Sequence, residues 1–457
     1  MTNTEATTAV ADPPPADVRA PASRLPGVVE TALIVAGLAI FGFLLPHYIV
    51  ADSQVRYANL LALLHGHIPP GRYSMISPLF ATPLVVLDKL VGGGLTATEL
   101  YNTIVFAVGI LALYLLLRGR MQSALLRRFL LVLVAGSMFA AHVVHWNSEV
   151  FTAMAVAVGL SAVAVRRFAA TGWGAVVLGV ANTPASVVGL VLVAGARMIE
   201  RRRLRYALAA LAAVALIGAE NWIRNGSPLR TGYGNDSAFR TLMPYSGGHG
   251  FDYPFLFGLL SLLLSFGKGL LFFAPGLILP VRRTLIAQDT IYQLYRWWLL
   301  FLAGLIIAYS PWFAWYGGFT WGPRFLLFAS IPAALAIAVC LGELTAPLWA
   351  RLLTLAALAL SIWVGICASV FIQAAFPATC TMDNFAFEAF CHYTPDFSVL
   401  WYPLVTHLPV DGTGWLIIGY FVACFGWLAA PLLGSIARDL AAPLRRIAPA
   451  ALRGWRW

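Results

Sequence analysis

The stretch VVETALIVAGLAIFGFLLPHYIVADSQVRYANLLALLHG, Val28–Gly66, decides the fold class. Its first part, Val28–Pro46, is an apolar run of the length at which a helix, needing roughly 20 residues, crosses a hydrocarbon layer. A single carboxylate, Asp52, stands just beyond it. In the residues that follow, Val55, Leu60, Leu63 and Leu64 share one helix face while Arg56 and Asn59 lie off it. Such an amphipathic helix lies in the membrane interface. The first run is as long as a span and no small-residue cleavage site follows it, so it reads as an uncleaved span and not a secretory signal.

The rest of the chain repeats the pattern. It has 457 residues, 60% hydrophobic and only 11% charged, with a mean hydropathy of +0.81. Water-soluble domains are about half apolar and a quarter charged, so that class is excluded. Further apolar runs fall at about Glu99–Leu117, Phe129–His145, Val150–Val165, Trp173–Ala196, Leu204–Ala219, Phe255–Leu279, Trp297–Ser310, Phe325–Leu341, Leu352–Phe371 and Trp415–Leu433. Backbone polar groups in lipid must be satisfied within the segment, which selects helices. The expectation is an all-α polytopic integral membrane protein of about 11–13 transmembrane helices, with interfacial helices in the first external loop.

The net charge of +11 is almost all arginine, since the only lysines are Lys89 and Lys268. The arginines gather at Arg118–Arg128, Arg166–Arg167, Arg197–Arg205 and Arg282–Arg283 and in the C-terminal RRIAPAALRGWRW. The positive-inside rule places these in the cytoplasm, and no nucleic acid is implied. Residues 1–26 are expected to be a disordered cytoplasmic tail, 27–436 the transmembrane domain, and 437–457 a basic cytoplasmic tail. An even number of crossings must then separate the N-terminus from Arg118–Arg128, so Leu79–Gly93, interrupted by Asp88 and Lys89, should lie at the surface. Loops 48–97, 220–254, 312–323 and 376–414 fall outside. Trp173–Ala196, basic at both ends and broken by Asn182–Pro184, fits two short helices going in and back better than one span.

The external polar residues form a chemical set. Asp52 is either the cap or first-turn acid of its helix or part of a site. Glu149 opens the span after AHVVHWN, Lys268 sits among glycines within an apolar run, and Arg324 stands where a loop meets a helix. Charges at membrane depth are costly and line cavities or pair with something. The cluster Trp312, Trp315, Tyr316 and Trp321 is denser than an interfacial belt requires. Cys380 and Cys391 lie in an external loop, where disulfides persist, and a bridge is expected, two free thiols being the alternative. Cys340, Cys367 and Cys424 read as small apolar residues.

These segments carry a resemblance. The order of a first span, an external loop opening with an acid in ADSQVRYANLL, the HGHIPPGRYSMISPL segment and a later span opening with SE resembles the GT-C superfamily of polyprenyl-phosphate-sugar-dependent glycosyltransferases. The segments NGSPLRTGYGND, LLSFGKGLLFFAPG and WYGGFTWGPRFLLFASIPAAL are similar to uncharacterised bacterial members related to protein mannosyltransferases. The resemblance covers most of Thr31 to Pro332. It implies a plasma-membrane enzyme with a cytoplasmic N-terminus and an active site on the outer face, with the first-loop acid, here Asp52, as general base. The loop holds a single Asp followed by Ser, not an Asp-x-Asp, so a divalent metal is not favoured and no cofactor is expected.

The chemistry can also be argued from the residues. A sugar on a polyprenyl phosphate has a good leaving group, and the enzyme needs cations to hold the phosphate as its charge grows. Arg324, Lys268 and Arg56 are assigned that role. Asp52 takes the proton of the acceptor hydroxyl, which with one acid on the attacking face implies inversion. Glu149, His145, Tyr73, Trp315, Tyr316 and Trp321 are expected to bind sugar or acceptor, Glu149 also orienting Arg56 or His145. The donor sugar is expected to be mannose or arabinose, and the acceptor a cell-envelope glycolipid or polysaccharide. The alternative is a flippase or transporter of lipid-linked sugars, against which stands the absence of any repeat of the Asp52 block in the second half.

Overall fold

The computed structural model describes residues 25–453 apart from 93, 235, 282–284, 287 and 372–376, with side chains described to residue 441. Nearly all of the expected N-terminal tail and Arg282–Arg283 lie outside these residues. The chain is 72% helical, with no strand among the described residues. Among the described residues six helices are long and apolar enough to cross a membrane: Leu25–Phe43, Leu204–Asn225, Asp289–Tyr309, Arg324–Leu341, Leu348–Val370 and Gly412–Ala441. Shorter apolar helices stand beside them. This fits a multi-pass membrane protein.

In chain order the main helices are α1 (Leu25–Phe43), α2 (Asp52–Leu64), α3 (Ile76–Val91), α4 (Tyr101–Leu117), α5 (Ser123–Ala135), α6 (Ser148–Ala164) and α7 (Ala169–Asn182). They continue with α8 (Val187–Arg201), α9 (Ala207–Asn225), α10 (Phe255–Leu264), α11 (Asp289–Tyr309), α12 (Ser330–Leu341), α13 (Leu348–Val370) and α14 (Gly412–Arg453). Helix α12 is apolar on every side and sits at the centre, with Ile331, Leu335, Ala336 and Ile337 fully buried, as expected of a helix with no polar face. Helix α9 is the opposite case. Leu208, Leu211 and Trp222 face outward, each more than 60% exposed, as on a helix bathed in hydrocarbon.

The break at Asn182–Pro184 is a reversal. Helix α7 runs to Asn182, which meets Ser148 at the start of α6. Helix α8 then runs back until Glu200 accepts a hydrogen bond from Gln293 near the start of α11. On the way Gly189 and Gly304 face each other so closely that a Cβ on Gly304 would lie 2.3 Å from the Gly189 backbone. Small residues at a helix crossing permit this approach, which supplies packing where lipid gives no hydrophobic drive.

Two runs expected as single spans are broken. Phe129–His145 stops being helical at Gly136 and resumes as Phe139–Val143. Phe255–Leu279 divides at Ser265–Gly269 into α10 and the short helix Leu270–Phe273, where two glycines in GKG weaken the helix.

Ion pairs tie together the arginine-rich end. Glu30 of α1 receives Arg127 at 2.7 Å and Arg128 at 3.5 Å from α5, and Arg351 of α13 pairs with Asp439 of α14. Asp52, Ser148, Asn182, Glu220 and Arg324 converge at the other end.

Cys380 and Cys391 form a disulfide, while Cys367 and Cys424 are free and buried. The bridge holds the short helix Glu388–Tyr393, whose His392 carbonyl accepts from the Gly267 amide at 2.9 Å. Closing a loop of this size contributes about 2–3 kcal/mol in the chain-entropy model. Neither thiol should react with an alkylating reagent until the protein is reduced. Equal labelling of both thiols before reduction would reject the bridge.

Candidate functional site

Helix α2 starts at Asp52 because the chain turns sharply at Ala51, which holds φ +51°. An alanine there is strained by about 1–3 kcal/mol and persists only where its surroundings over-determine it. The helix start has no side-chain cap hydrogen bond, so Asp52 is not a cap, although it is the acid of the first turn. Its Oδ1 accepts from the Tyr73 hydroxyl at 2.6 Å, and its Oδ2 accepts from Arg324 Nη1 at 3.0 Å.

Arg324 reaches Asp52 across a separation of 272 residues. The loop before it makes room: Gly317 has φ +80°, and a Cβ there would lie 2.9 Å from Arg324 Cγ. Arg324 Nε stands 3.7 Å from Glu149 Oε1, too far for a hydrogen bond, and is a buried donor without a hydrogen-bond partner. Arg56 closes the figure. It donates to the Trp146 carbonyl at 3.4 Å and to Ser148 Oγ at 3.3 Å, and it lies 4.4 Å over the Tyr73 ring. Ser148 Oγ in turn donates to Glu149 Oε2 at 3.2 Å. Asp52, Arg324, Glu149, Ser148, Arg56 and Tyr73 thus form one circuit of two acids, two guanidinium groups and two hydroxyls.

Electrostatics fix the charge states. Burial alone would raise the Asp52 pKa, but Arg324, the Tyr73 hydrogen bond and Arg56 outweigh it and hold the carboxyl below its ordinary value. Burial and the adjacent Asp52 push the Tyr73 phenol up, so it stays protonated and donates. The acid is kept ionised.

Supporting groups come from residues to which sequence reasoning gave no role in the site. Glu220 at the end of α9 accepts from Ser74 Oγ at 2.8 Å and from the Met75 amide at 2.6 Å. Arg224 donates to the Pro69 carbonyl at 3.0 Å and also to that of Tyr73. Asn225 accepts from the Gly71 amide at 3.1 Å. Together they hold the PPGRYSM turn that carries Tyr73. The visible signal was the spacing of Glu220 and Arg224, one helical turn apart in ENWIRN. Asn182 plays a similar part, accepting from the Ser77 amide at 3.0 Å and donating to the Ser148 carbonyl at 3.0 Å.

Several expected roles are corrected. Lys268 directs its ammonium to the carbonyls of Gly318, Thr320 and Gly322 at 3.4, 2.6 and 3.0 Å. An ammonium has three donors, so none is left for a phosphate, and Lys268 instead anchors the loop leading to Arg324. Tyr73 serves Asp52 and is not an open sugar contact. Trp321 is 3% exposed, packed edge-on against Phe273, and cannot stack on a ligand. Trp315 and Tyr316 are buried too, but they border a small cleft with Glu388 and His392. His145 packs against Tyr48, and Glu149 reaches Arg56 through Ser148 without touching His145.

Glu388 is a further acid that the sequence reading missed. It is 1% exposed, and burial pushes its pKa up to about 7, with Lys268 and Tyr316 only partly opposing. Among the described residues no group of three or more His, Cys, Asp or Glu side chains is placed to hold a metal ion. Asp52 and Glu149 face a shared guanidinium.

Comparison with family models, with curated proteins and with solved structures finds no match to this chain. What the chain defines is an all-helical, multi-pass protein with a charged circuit built at one end of its bundle.

Proposed function

We propose that the protein is a membrane glycosyltransferase of the GT-C kind, moving mannose or arabinose from a polyprenyl-phosphate donor to a cell-envelope glycolipid or polysaccharide. The observation that carries this reading is the Asp52–Arg324 pair, a carboxylate held ionised beside a guanidinium that keeps a spare buried donor. Arg324 receives the donor phosphate, and its fork geometry suits phosphate oxygens. As the bond from the anomeric carbon to the phosphate oxygen breaks, the charge collecting on the phosphate is met by Arg324. The acceptor oxygen forms its bond to the same carbon from the opposite face, passing its proton to Asp52. The product is inverted.

Before a donor binds, Arg324 weakens Asp52 as a base. A donor phosphate that draws the guanidinium toward itself restores basicity when the sugar is in place. Glu149 steadies Arg324 from the other side, and through Ser148 it fixes Arg56 against Tyr73.

Among the described residues four shorter apolar helices stand beside the six of spanning length, ten in all, and the expected range of about 11–13 is reached if α5 and α8 cross as well. On this topology the arginine-rich end is cytoplasmic and the Asp52 end lies outside the plasma membrane. Cysteines introduced as Ser237→Cys and Gln122→Cys, both at exposed positions, test the sidedness. The first should label in intact cells, and the second only after permeabilisation. A cytoplasmic Ser237 would overturn the placement. The activity itself is tested by following radiolabel from a polyprenyl-phosphate sugar into an acceptor in isolated membranes. Label that crosses the membrane without changing its chemical form would point instead to a flippase.

A further inference from the structure

At the opposite end of the bundle a cavity of about 880 Å³ opens between the start of α7, the end of α8 and the start of α9. Arg166, Arg197, Arg201, Arg202, Arg203 and Arg205 line it, against a single acid, Glu200. Six positive charges and one negative leave a net charge of +5. Arginines at a membrane edge ordinarily need no ligand, because their guanidinium groups lie in water. Arg197 is different. It lies on the buried side of α8, is 6% exposed, and its Nε and Nη1 have no hydrogen-bond partner.

The surroundings hold Arg197 in place without satisfying it. Its guanidinium lies 4.4 Å over the Trp297 ring and 5.1 Å over that of Tyr206. The Glu200 carboxylate is 3.7 Å from its Nη1, beyond hydrogen-bond range, and Glu200 also serves Gln293 and Arg296. Unmade hydrogen bonds on a buried charged group are costly, and an acceptor supplied from the cavity would remove that cost. The first turn of α7, at Ala169 and Ala170, also borders the cavity. Its unpaired N–H groups favour an anion.

We propose that this cavity binds the phosphate headgroup of an anionic membrane lipid, with Arg197 as the buried contact and Arg201 and Arg203 at the rim. A phosphate offers several oxygens at once to a set of guanidinium forks. A lipid is favoured over a soluble ester because Leu208, which lines the cavity, continues into the outward apolar face of α9 at Leu211 and Val214, each more than half exposed. A headgroup in the cavity would lay its acyl chains along that face. Basic pockets between membrane helices on the cytoplasmic side suit such headgroups.

The test uses the full-length protein in nanodiscs of phosphatidylcholine with a minor share of labelled phosphatidylglycerol. The wild-type chain should enrich the labelled lipid and retain it through purification, as seen by native mass spectrometry. Arg197→Gln should weaken that binding roughly fivefold. Because Arg197 is buried, the double variant Arg201→Gln/Arg203→Gln, at exposed positions, guards against misfolding and should weaken binding more than fivefold. Equal binding by the wild type and both variants, or no preference for the anionic lipid, would overturn the proposal. So would displacement of the lipid by soluble glycerol phosphate at equal concentration, or an acidic protein found in its place. This site is independent of the transfer reading, and failure of one leaves the other standing.

Discussion

Replacing Asp52 by asparagine should lower sugar transfer from a polyprenyl-phosphate donor about 100-fold or more, with expression and thermal stability close to wild type. Asparagine keeps the shape of the side chain and an oxygen that can accept from Tyr73 or Arg324. No helix cap is lost, because the start of α2 has no side-chain cap bond. The structural cost is the ion pair with Arg324, whose side chains are 25% and 13% exposed for Asp52 and Arg324. Arg324 keeps Glu149 as a counter-charge, so no buried charge is left unpaired and the cost stays on the order of 1–2 kcal/mol. A 100-fold loss of rate is about 2.7 kcal/mol of transition-state stabilisation, more than the pair alone supplies. The two effects are therefore separable, and a fully active Asp52→Asn protein would sink the mechanism. The pH profile gives a second check. Since Arg324, Tyr73 and Arg56 together overcome burial and hold Asp52 below its ordinary range, protonation of Asp52 should not limit kcat/KM, which reports the free enzyme, between neutral pH and about pH 5.

The sequence was informative wherever physics acts through composition or periodicity. Apolar runs of spanning length gave the all-α class, and the polar Asn182–Pro184 within one of them marked the reversal between α7 and α8. Asp52, Glu149 and Arg324 were legible because a charge near a membrane edge is rare enough to demand an explanation. Their mutual distances were not legible, since contacts across hundreds of residues depend on packing. Lys268 shows the limit most clearly. A lone lysine in an apolar run has either a ligand or a set of protein acceptors, and the choice lies with the carbonyls of Gly318, Thr320 and Gly322, which composition does not reveal. Trp321 misled for a related reason, because a dense aromatic cluster looks the same whether it walls a cleft or fills a core. Glu388 was missed because its importance comes from its burial, which the triplet FEA does not reveal.

Arg324 should be the most demanding position in the site. Arg324→Ala removes the contact proposed for the donor phosphate and at the same time leaves two acids, Asp52 and Glu149, without their shared cation. Loss of a charged hydrogen bond to the phosphate should weaken donor binding about 10- to 100-fold, and turnover should fall as well because the leaving group loses its counter-charge. Stability should also drop, on the order of 1–3 kcal/mol, since partly buried carboxylates lose their partner. These consequences respond differently to a second change. Adding Asp52→Asn to Arg324→Ala removes one orphaned charge and should recover part of the stability, while activity stays lost. Arg324→Lys restores the charge but not the planar fork, so it should recover stability and much of the donor affinity while turnover stays low. Donor binding measured by retention of a labelled polyprenyl-phosphate sugar, turnover by transfer, and stability by thermal unfolding distinguish these cases. If Arg324→Ala bound the donor as tightly as wild type, the guanidinium would be only the clamp between Asp52 and Glu149, and the phosphate would have to be held elsewhere.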